Sequence, residues 1–410
     1  MNRHVFQKGS LVTALGLALG LSGVSGAQAL SADEIEIHGF FTAGATISDV
    51  DKRYLRTTDE DISFDEDSAF ALQMFIPVDD RISLQAQLLA NTSKKGDPNF
   101  ELDVDWAFAS YMLNDNVTIR AGRIRYPLLL LSDVAEAGYA YPWIRPPVEV
   151  YNGIPFNTLD GVDVLIEGFG VGGFDLQVQP YVGSKDEDLF IQSFGLEFDT
   201  ELDNMMGLKL ALSNDSVTFN SGYTSFKETI DTRIPGIIVE DLDVETYTFG
   251  VSVDHNNLIM MAEYIDLDYD DPDAGTLGIT GYDAWYAMIG YRFGKFTPHI
   301  TYAETNADKP LELFAEGTTF FGQDISGVPM DFLSGTNQLG AVSNSTLTVG
   351  LRYELTKSSA LKFEWSKVEP EDNTGGLFGP AGGGSILDGS LPTYDQEDAH
   401  IYSIALDVVF

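Results

Sequence analysis

Arg120, Arg123 and Arg125 fall within six residues of one another, in a chain of 410 residues that carries 63 Asp and Glu against 23 Lys and Arg. Bases grouped this way in an acidic chain are placed to meet carboxylates or to draw an anion. Carboxylates stand on both sides in sequence: Glu101, Asp103 and Asp105 before them, Asp133, Glu136 and Glu149 after. Opposed rows of charge across water create a transverse field that orients dipolar solutes and disfavours apolar ones. Arg145 and Arg352 extend the basic set. The same arginines could instead pin a loop by pairing with its acids, and both readings stay open at this stage.

Other chemistries find little support. The chain has no Cys, which removes thiol catalysis, thiolate metal sites and disulfides. Beyond residue 29 there is no G-x-S-x-G, no H-E-x-x-H and no phosphate loop ending in Lys-Ser/Thr. Of the histidines, His299 alternates with Thr297 and Thr301, a pattern that reads as a wet polar face rather than a catalytic one. The spacing of Asp266, Asp268, Asp270, Asp271 and Asp273 offers oxygen ligands, but it lacks the Gly and terminal Glu of an EF-hand and reads as a solvated acidic rim. No catalytic residue, metal or cofactor is expected. A formal net charge of −40 excludes the basic stripe that nucleic-acid binding requires.

The elements that must position these charges follow from the patterning. Residues 1–29 read as a secretory signal peptide: Arg3 and Lys8, an apolar stretch from Leu11 to Val24, then Ala27-Gln28-Ala29 for cleavage. Past residue 29 no apolar run approaches the roughly 18 residues of a membrane helix. Alternation with a period of two dominates instead. Ile82, Leu84, Ala86, Leu88 and Ala90 alternate with mostly polar neighbours; Phe100, Leu102, Val104, Trp106 and Phe108 alternate with acids; Leu347, Val349, Leu351, Tyr353 and Leu355 repeat the pattern. Short turns are expected at Asp79-Asp80, Asn114–Asn116, Gly168–Gly173, Asp199–Asn204, His255–Asn257, Gly294-Lys295 and Thr356–Ser359. Between them fall longer loops, among them Tyr126–Leu159, Gly183–Asp188 and Ser213–Val244. The count gives about 16 strands, an even number, with short turns at one end and long loops at the other.

A soluble β-protein would bury the apolar face, whereas a transmembrane antiparallel up-and-down β-barrel turns it to lipid and keeps the polar face in a wet lumen. The polar face carries Lys209, Glu263, Lys362 and Glu364 as well as the residues above, too many ions for a dry core. Aromatics near segment ends (Trp285, Tyr291, Phe293, Phe296, Tyr302, Trp365, Tyr402) fit interfacial girdles. The expected architecture is the barrel, over residues 30–410.

Tyr402, Ile404, Leu406, Val408 and Phe410 occupy alternate positions at the end of the chain. They resemble the C-terminal strand signature of Gram-negative outer-membrane proteins, which the barrel-assembly machinery reads. The whole chain past residue 29 resembles the 16-stranded outer-membrane porins, and Arg120–Tyr151 is similar to a segment of porin-like proteins of marine gammaproteobacteria. The resemblance implies a homotrimer in outer-membrane lipid and lipopolysaccharide, passive diffusion of ions and small hydrophilic solutes, and a third long loop folded into the lumen. By count that loop is Tyr126–Leu159, the expected constriction. The acidic Pro-Glu-Phe-Gly-Gly loop motif of general porins is absent.

Strict alternation places Arg120 inward and Arg123 and Arg125 outward. A bulge at Gly122 would bring all three inward as a ladder. The acidic loops predict mild cation selectivity, with two alternatives: a channel specific for anionic solutes that uses the arginines, or a structural or adhesin barrel with a closed lumen.

Overall fold

The computed structural model describes residues 35–410 apart from 52–53, 56–57, 93–99, 153–155, 192–195, 232–237, 270–280, 308–316, 318, 321–322, 325, 327–342 and 372–397. The signal-peptide residues lie outside the described residues, as do Asp270, Asp271 and Asp273.

Alternation builds sixteen antiparallel strands. They are β1 (Glu36–Ser48), β2 (Ala69–Pro77), β3 (Ile82–Thr92), β4 (Phe100–Asn114), β5 (Val117–Arg125), β6 (Thr158–Val171), β7 (Phe174–Ile191) and β8 (Leu196–Ser213), followed by β9 (Val217–Asp231), β10 (Ile238–His255), β11 (Leu258–Tyr269), β12 (Tyr282–Tyr291), β13 (Phe296–Ala307), β14 (Asn344–Thr356), β15 (Ser359–Pro370) and β16 (Ala399–Val409). Each strand pairs with its sequence neighbours, and β16 returns to β1 from Phe40↔Val409 to Ser48↔Ile401, so the sheet closes. Closure leaves no open edge to lipid, which a sheet in hydrocarbon requires.

The two faces separate as the period demands. On β8, Met206, Leu208 and Leu210 are exposed outward while Met205 and Lys209 are buried inward. Tyr291, Phe293 and Phe296 stand exposed at the short-turn end; Tyr247, Tyr302 and Tyr402 do so nearer the long loops. Strands of eighteen residues, as in β7, β8 and β10, exceed the roughly 9–11 needed to cross a bilayer, so this part of the wall projects beyond it.

That projection explains where the expected boundaries fail. Asp199–Asn204, expected as a turn, lies inside β8, where the register shifts between Asp203 and Met206 and Asn204 takes a left-handed φ of 53°. Gly183–Asp188, expected as a loop, lies inside β7, and Ser213–Val244, expected as one loop, contains all of β9. Above the bilayer the outward face meets water, so Ser225 and Lys227 replace apolar residues and the contrast that marks a strand disappears. The count of sixteen survives because the segment expected between the misplaced connections straddles the true β7–β8 loop.

Parity also differs in β4. The β3–β4 register slips between Gln87 and Leu88, setting both Asp105 and Trp106 against that point. Beyond this bulge Trp106 and Phe108 turn inward, opposite Gln87 and Gln85, instead of continuing the lipid face of Leu102 and Val104.

Candidate functional site

The segment between β5 and β6 does not leave the barrel. Tyr126 N–H donates to Asn157 O at 2.9 Å, closing the neck, and the described residues from 127 to 152 run through the lumen. Two inner-wall glycines give it room. A Cβ at Gly222 would lie 2.9 Å from Leu128 Cδ1, and one at Gly250 would lie 2.8 Å from Leu130 Cδ1, so any larger residue would push the loop off the wall. Leu128 O accepts from Asn220 Nδ2 (3.2 Å) and Thr248 Oγ1 (2.9 Å). Leu130 N–H donates to Glu263 Oε1 at 2.6 Å, and Tyr151 and Tyr286 hydroxyls donate to the other oxygen of that carboxylate.

Further round the wall, Trp143 Nε1 donates to Thr301 Oγ1 at 2.7 Å and Ile144 N–H to Glu364 Oε1 at 2.9 Å. Lys362, whose side chain is 1% exposed, donates to Gly138 O at 2.5 Å and to Trp143 O, and pairs with Asp407 at 2.8 Å. Thr42 Oγ1 donates to the other oxygen of Asp407 at 2.7 Å. A buried ammonium set among two carbonyls and a carboxylate has all its donors aimed at protein acceptors, which makes it a strong pin. His299 is buried beside Trp143, 3.7 Å from Glu364.

The residues singled out from sequence divide into three groups. Arg352, Arg145 and Glu149 hold the loop. Arg352 Nη1 donates to Tyr139 O (2.7 Å) and Tyr141 O (2.8 Å). Arg145 clasps Asp67 (2.7 and 2.5 Å) and reaches Thr46 and Ser403. Burial works against the Arg145 charge, but the attraction and hydrogen bonds of Asp67 outweigh it and hold the guanidinium pKa above its ordinary value. Glu149 accepts from Asn344 Nδ2 (3.1 Å) and Thr346 Oγ1. Burial raises its pKa above the usual carboxylate range, although these hydrogen bonds oppose the shift.

The second group is Arg120, Arg123 and Arg125. The register through Gly122 is unbroken against both β4 and β6, so the bulge expected there does not form and Arg123 keeps the strand parity opposite to Arg120; the bulge lies in β4. Each arginine meets a different wall carboxylate. Arg120 pairs with Asp163, to which Gln179 also donates (2.7 Å); Arg123 grips Asp160 through two hydrogen bonds (2.9 and 3.1 Å); Arg125, buried at the top of β5, reaches Asp105 at 2.5 Å.

The third group lines water. Glu101, Asp103, Asp105, Arg123 and Glu136 border an outer chamber of about 510 Å³, with Lys185, Asp186, Glu187, Asp188, Asp199, Thr200 and Glu201 opposite. Nine carboxylates and two bases therefore border it, with Asp186, Asp188, Asp199 and Glu201 at the strand parity opposite to buried Lys185, Phe198, Thr200 and Leu202. Adjoining it is a second space of about 180 Å³, bordered by Glu66, Asp67, Tyr141 and Arg145. Glu136 borders both, held by Asn157 Nδ2 (2.7 Å) and Asn91 Nδ2 (3.5 Å). Asp133 sits between these groups, 3.9 Å from Lys209.

The outer chamber exists because β5 and β6 are short. β4 pairs with β5 only over Ala107–Asn114, and β7 pairs with β6 only up to Ser184. Lys362, Glu263 and Lys209 were legible from sequence as inward charges; what alternation could not give is which loop carbonyl or amide each one meets.

Among the described residues no cluster of His, Asp and Glu is arranged to hold a metal ion. At the end of the chain, Tyr402, Ile404 and Phe410 are exposed outward, alternating with buried Ile401, Ala405 and Asp407; Leu406 and Val408 share the outward parity.

Comparison with known proteins adds three findings. The sequence model of the family described as Gram-negative porin matches residues 12–373. No curated protein matches the sequence. Among solved structures, the fold is similar to the anion-selective porin from Comamonas acidovorans (11% identity, covering 92% of this chain and 99% of that one, TM-score 0.54). It is also similar to the outer-membrane expressed OmpT of Vibrio cholerae (12%, 93% and 100%, 0.52) and to Salmonella typhi OmpF in complex with daunomycin (12%, 92% and 97%, 0.52). At these identities the likeness speaks to the fold.

Proposed function

This chain belongs to the Gram-negative porin family and forms an outer-membrane channel rather than an enzyme, and on that premise we propose a pore for ions and small hydrophilic solutes with a mild preference for cations. One observation carries the preference: nine carboxylates against two bases border the outer chamber at the long-loop end of the barrel. Such lining raises local cation concentration and disfavours anions.

The segment Tyr126–Leu159 acts as the constriction, with Glu136 between the two spaces. The pore works as one of three in a homotrimer embedded among outer-membrane lipid and lipopolysaccharide. Residues 1–29 direct export, and the alternate residues Tyr402 to Phe410 serve the barrel-assembly machinery. A channel specific for anionic solutes is the weaker reading, because each arginine of the β5 group already has a carboxylate partner.

Single-channel recording in planar bilayers tests the proposal. A reversal potential under a salt gradient on the cation side, with steps that close in threes, is the expected result. An anion-side potential would overturn it. Replacing Arg123 and Arg125 by Ala releases Asp160 and Asp105 and is expected to raise cation preference. An unchanged potential would mean that neither arginine acts on the permeating ion.

A further inference from the structure

Trp106 and Phe108 are out of place on the inner wall. Had β4 kept its parity, both rings would continue the lipid face of Leu102 and Val104, where apolar side chains belong. The extra residue at the β3–β4 slip turns them into the lumen instead. Bulges that re-aim a side chain gather at functional sites, and apolar rings in a wet lumen call for a partner. The two rings lie 5.4 Å apart at 36° to one another, and each is only half-buried. Gly122, opposite Phe108 across the β4–β5 ladder, makes room for them: a Cβ there would lie 3.2 Å from Phe108 Cβ. Arg120 stacks over the Phe108 ring, 5.2 Å from its centroid. Among the described residues the Trp106 indole has Phe108 as its only ring partner and no cation over it, which leaves it as a platform.

What surrounds the rings is polar, planar and electrically balanced. Gln73 Nε2 donates to Gln87 Oε1 at 2.6 Å, and Gln85 Nε2 donates to Ser110 Oγ at 3.4 Å. Each of these half-buried amides is thus oriented through one N–H, which leaves its second N–H and its carbonyl oxygen for a ligand. Gln73 and Gln85 are diagonal neighbours across the β2–β3 ladder, about 7–8 Å apart on one sheet face. Arg120 is neutralised by Asp163 and Arg125 by Asp105. Unlike the outer chamber, this patch therefore favours neither cation nor anion. A ligand that fits it is uncharged, has one apolar face, and carries groups along its edge that donate and accept at once. A pyranose ring has these features, because its C–H bonds make a face apolar and its hydroxyls ring the edge.

We propose that the inner face of β2–β4 binds neutral oligosaccharides, with a pyranose face on the Trp106 indole and hydroxyls on the amides of Gln73 and Gln85. The inference rests on reading the lumen as a water-filled pore, and it names a solute class that the pore holds as well as passes.

The test uses the full-length protein in planar bilayers, with maltotriose or cellotriose added to a steady potassium current. Reversible, concentration-dependent interruptions are expected with at least one of these sugars, and none with a polyethylene glycol of the same hydrodynamic size. Trp106→Ala is expected to weaken the sugar's effect by about three- to tenfold, and Trp106→Phe by less. Gln73→Leu with Gln85→Leu is expected to weaken it by about fivefold. Trp106 is one of four tryptophans, so a change in emission on adding the sugar is expected in the wild type and lost in Trp106→Phe. Interruptions of equal strength in the wild type and every variant would place the sugar elsewhere and overturn the proposal. Equal interruption by the glycol would overturn it too, since size alone would then suffice. A cation-side reversal potential with neither interruption nor emission change from either sugar rejects the site and leaves the functional reading standing. A Trp106-dependent emission change in a chain that passes no current supports the site and rejects that reading.

Discussion

The inner wall of this barrel has two kinds of region built from the same residue types. From β9 round to β15 the inward charges are covered by the loop: Glu263, Arg352, Lys362 and Glu364 each hold a backbone group of the segment crossing the lumen. Around β4, the upper part of β7 and the start of β8, carboxylates of similar sequence appearance face open water. What separates the two is coverage. A charge under the loop is fixed in low dielectric with its partners chosen, and its role is mechanical; a charge left in water acts through its field. A row of inward charges in a barrel sequence therefore predicts a wet or covered wall equally well, and only the path of the loop decides.

The sharpest way to break the comparison is to remove a covered charge. Lys362→Met deletes the pin on Gly138 and Trp143 and leaves Asp407 buried without its cation, a change that costs about 3–5 kcal/mol. Lower thermal stability and a larger, noisier single-channel conductance are expected. Lys362→Met with Asp407→Leu should recover part of the stability but not the loop's restraint. If conductance is unchanged in both, Lys362 does not hold the loop.

A second variant attacks the covered side without touching charge. Gly222→Val drives its side chain into Leu128, and overpacking of this kind costs about 1–3 kcal/mol. The loop should become open to protease while the barrel stays folded. Gly170→Val, at a glycine with open space around it, is the control that should change nothing.

The smallest effect concerns Glu149, whose pKa burial raises. For a carboxyl raised in the folded state, its contribution is fully present below the unfolded value, near 4.5, and is lost as pH rises through the folded value. The wild-type loop should therefore resist protease better in acid than at neutral pH, and Glu149→Gln, which cannot ionise, should shrink that difference. A difference of the same size in the variant would assign it to other carboxyls.

Much of this architecture was open to a reader of the sequence, for a physical reason. Lipid enforces alternation wherever a strand crosses hydrocarbon, so β3, β12 and β14 announce themselves. Water does not enforce it. β9 lacks a clear signal because Ser225 and Lys227 face solvent above the bilayer, and the inward turn of Trp106 and Phe108 stayed hidden because one extra residue at Asp105 leaves no mark in composition. The site was legible as a set of charges on one face. Its partition was not, since the contacts of Lys362 and Glu263 with the loop join residues more than a hundred positions apart, most of them through backbone atoms that carry no sequence label.

The closure of β16 onto β1 has a consequence for how such a chain comes to be made. Gly39 and Phe410 exchange hydrogen bonds in both directions, at 2.9 and 3.0 Å, so the seam joins the first strand to be synthesised with the last. Every other strand pair joins neighbours in sequence, and only this contact bears the entropy of closing nearly the entire chain. Until it forms, β1 and β16 each offer an unpaired edge that can template wrong association. Assembly is thus a race between sealing and mispairing, and its outcome turns on how long those two edges are kept apart from other chains until the final strand arrives.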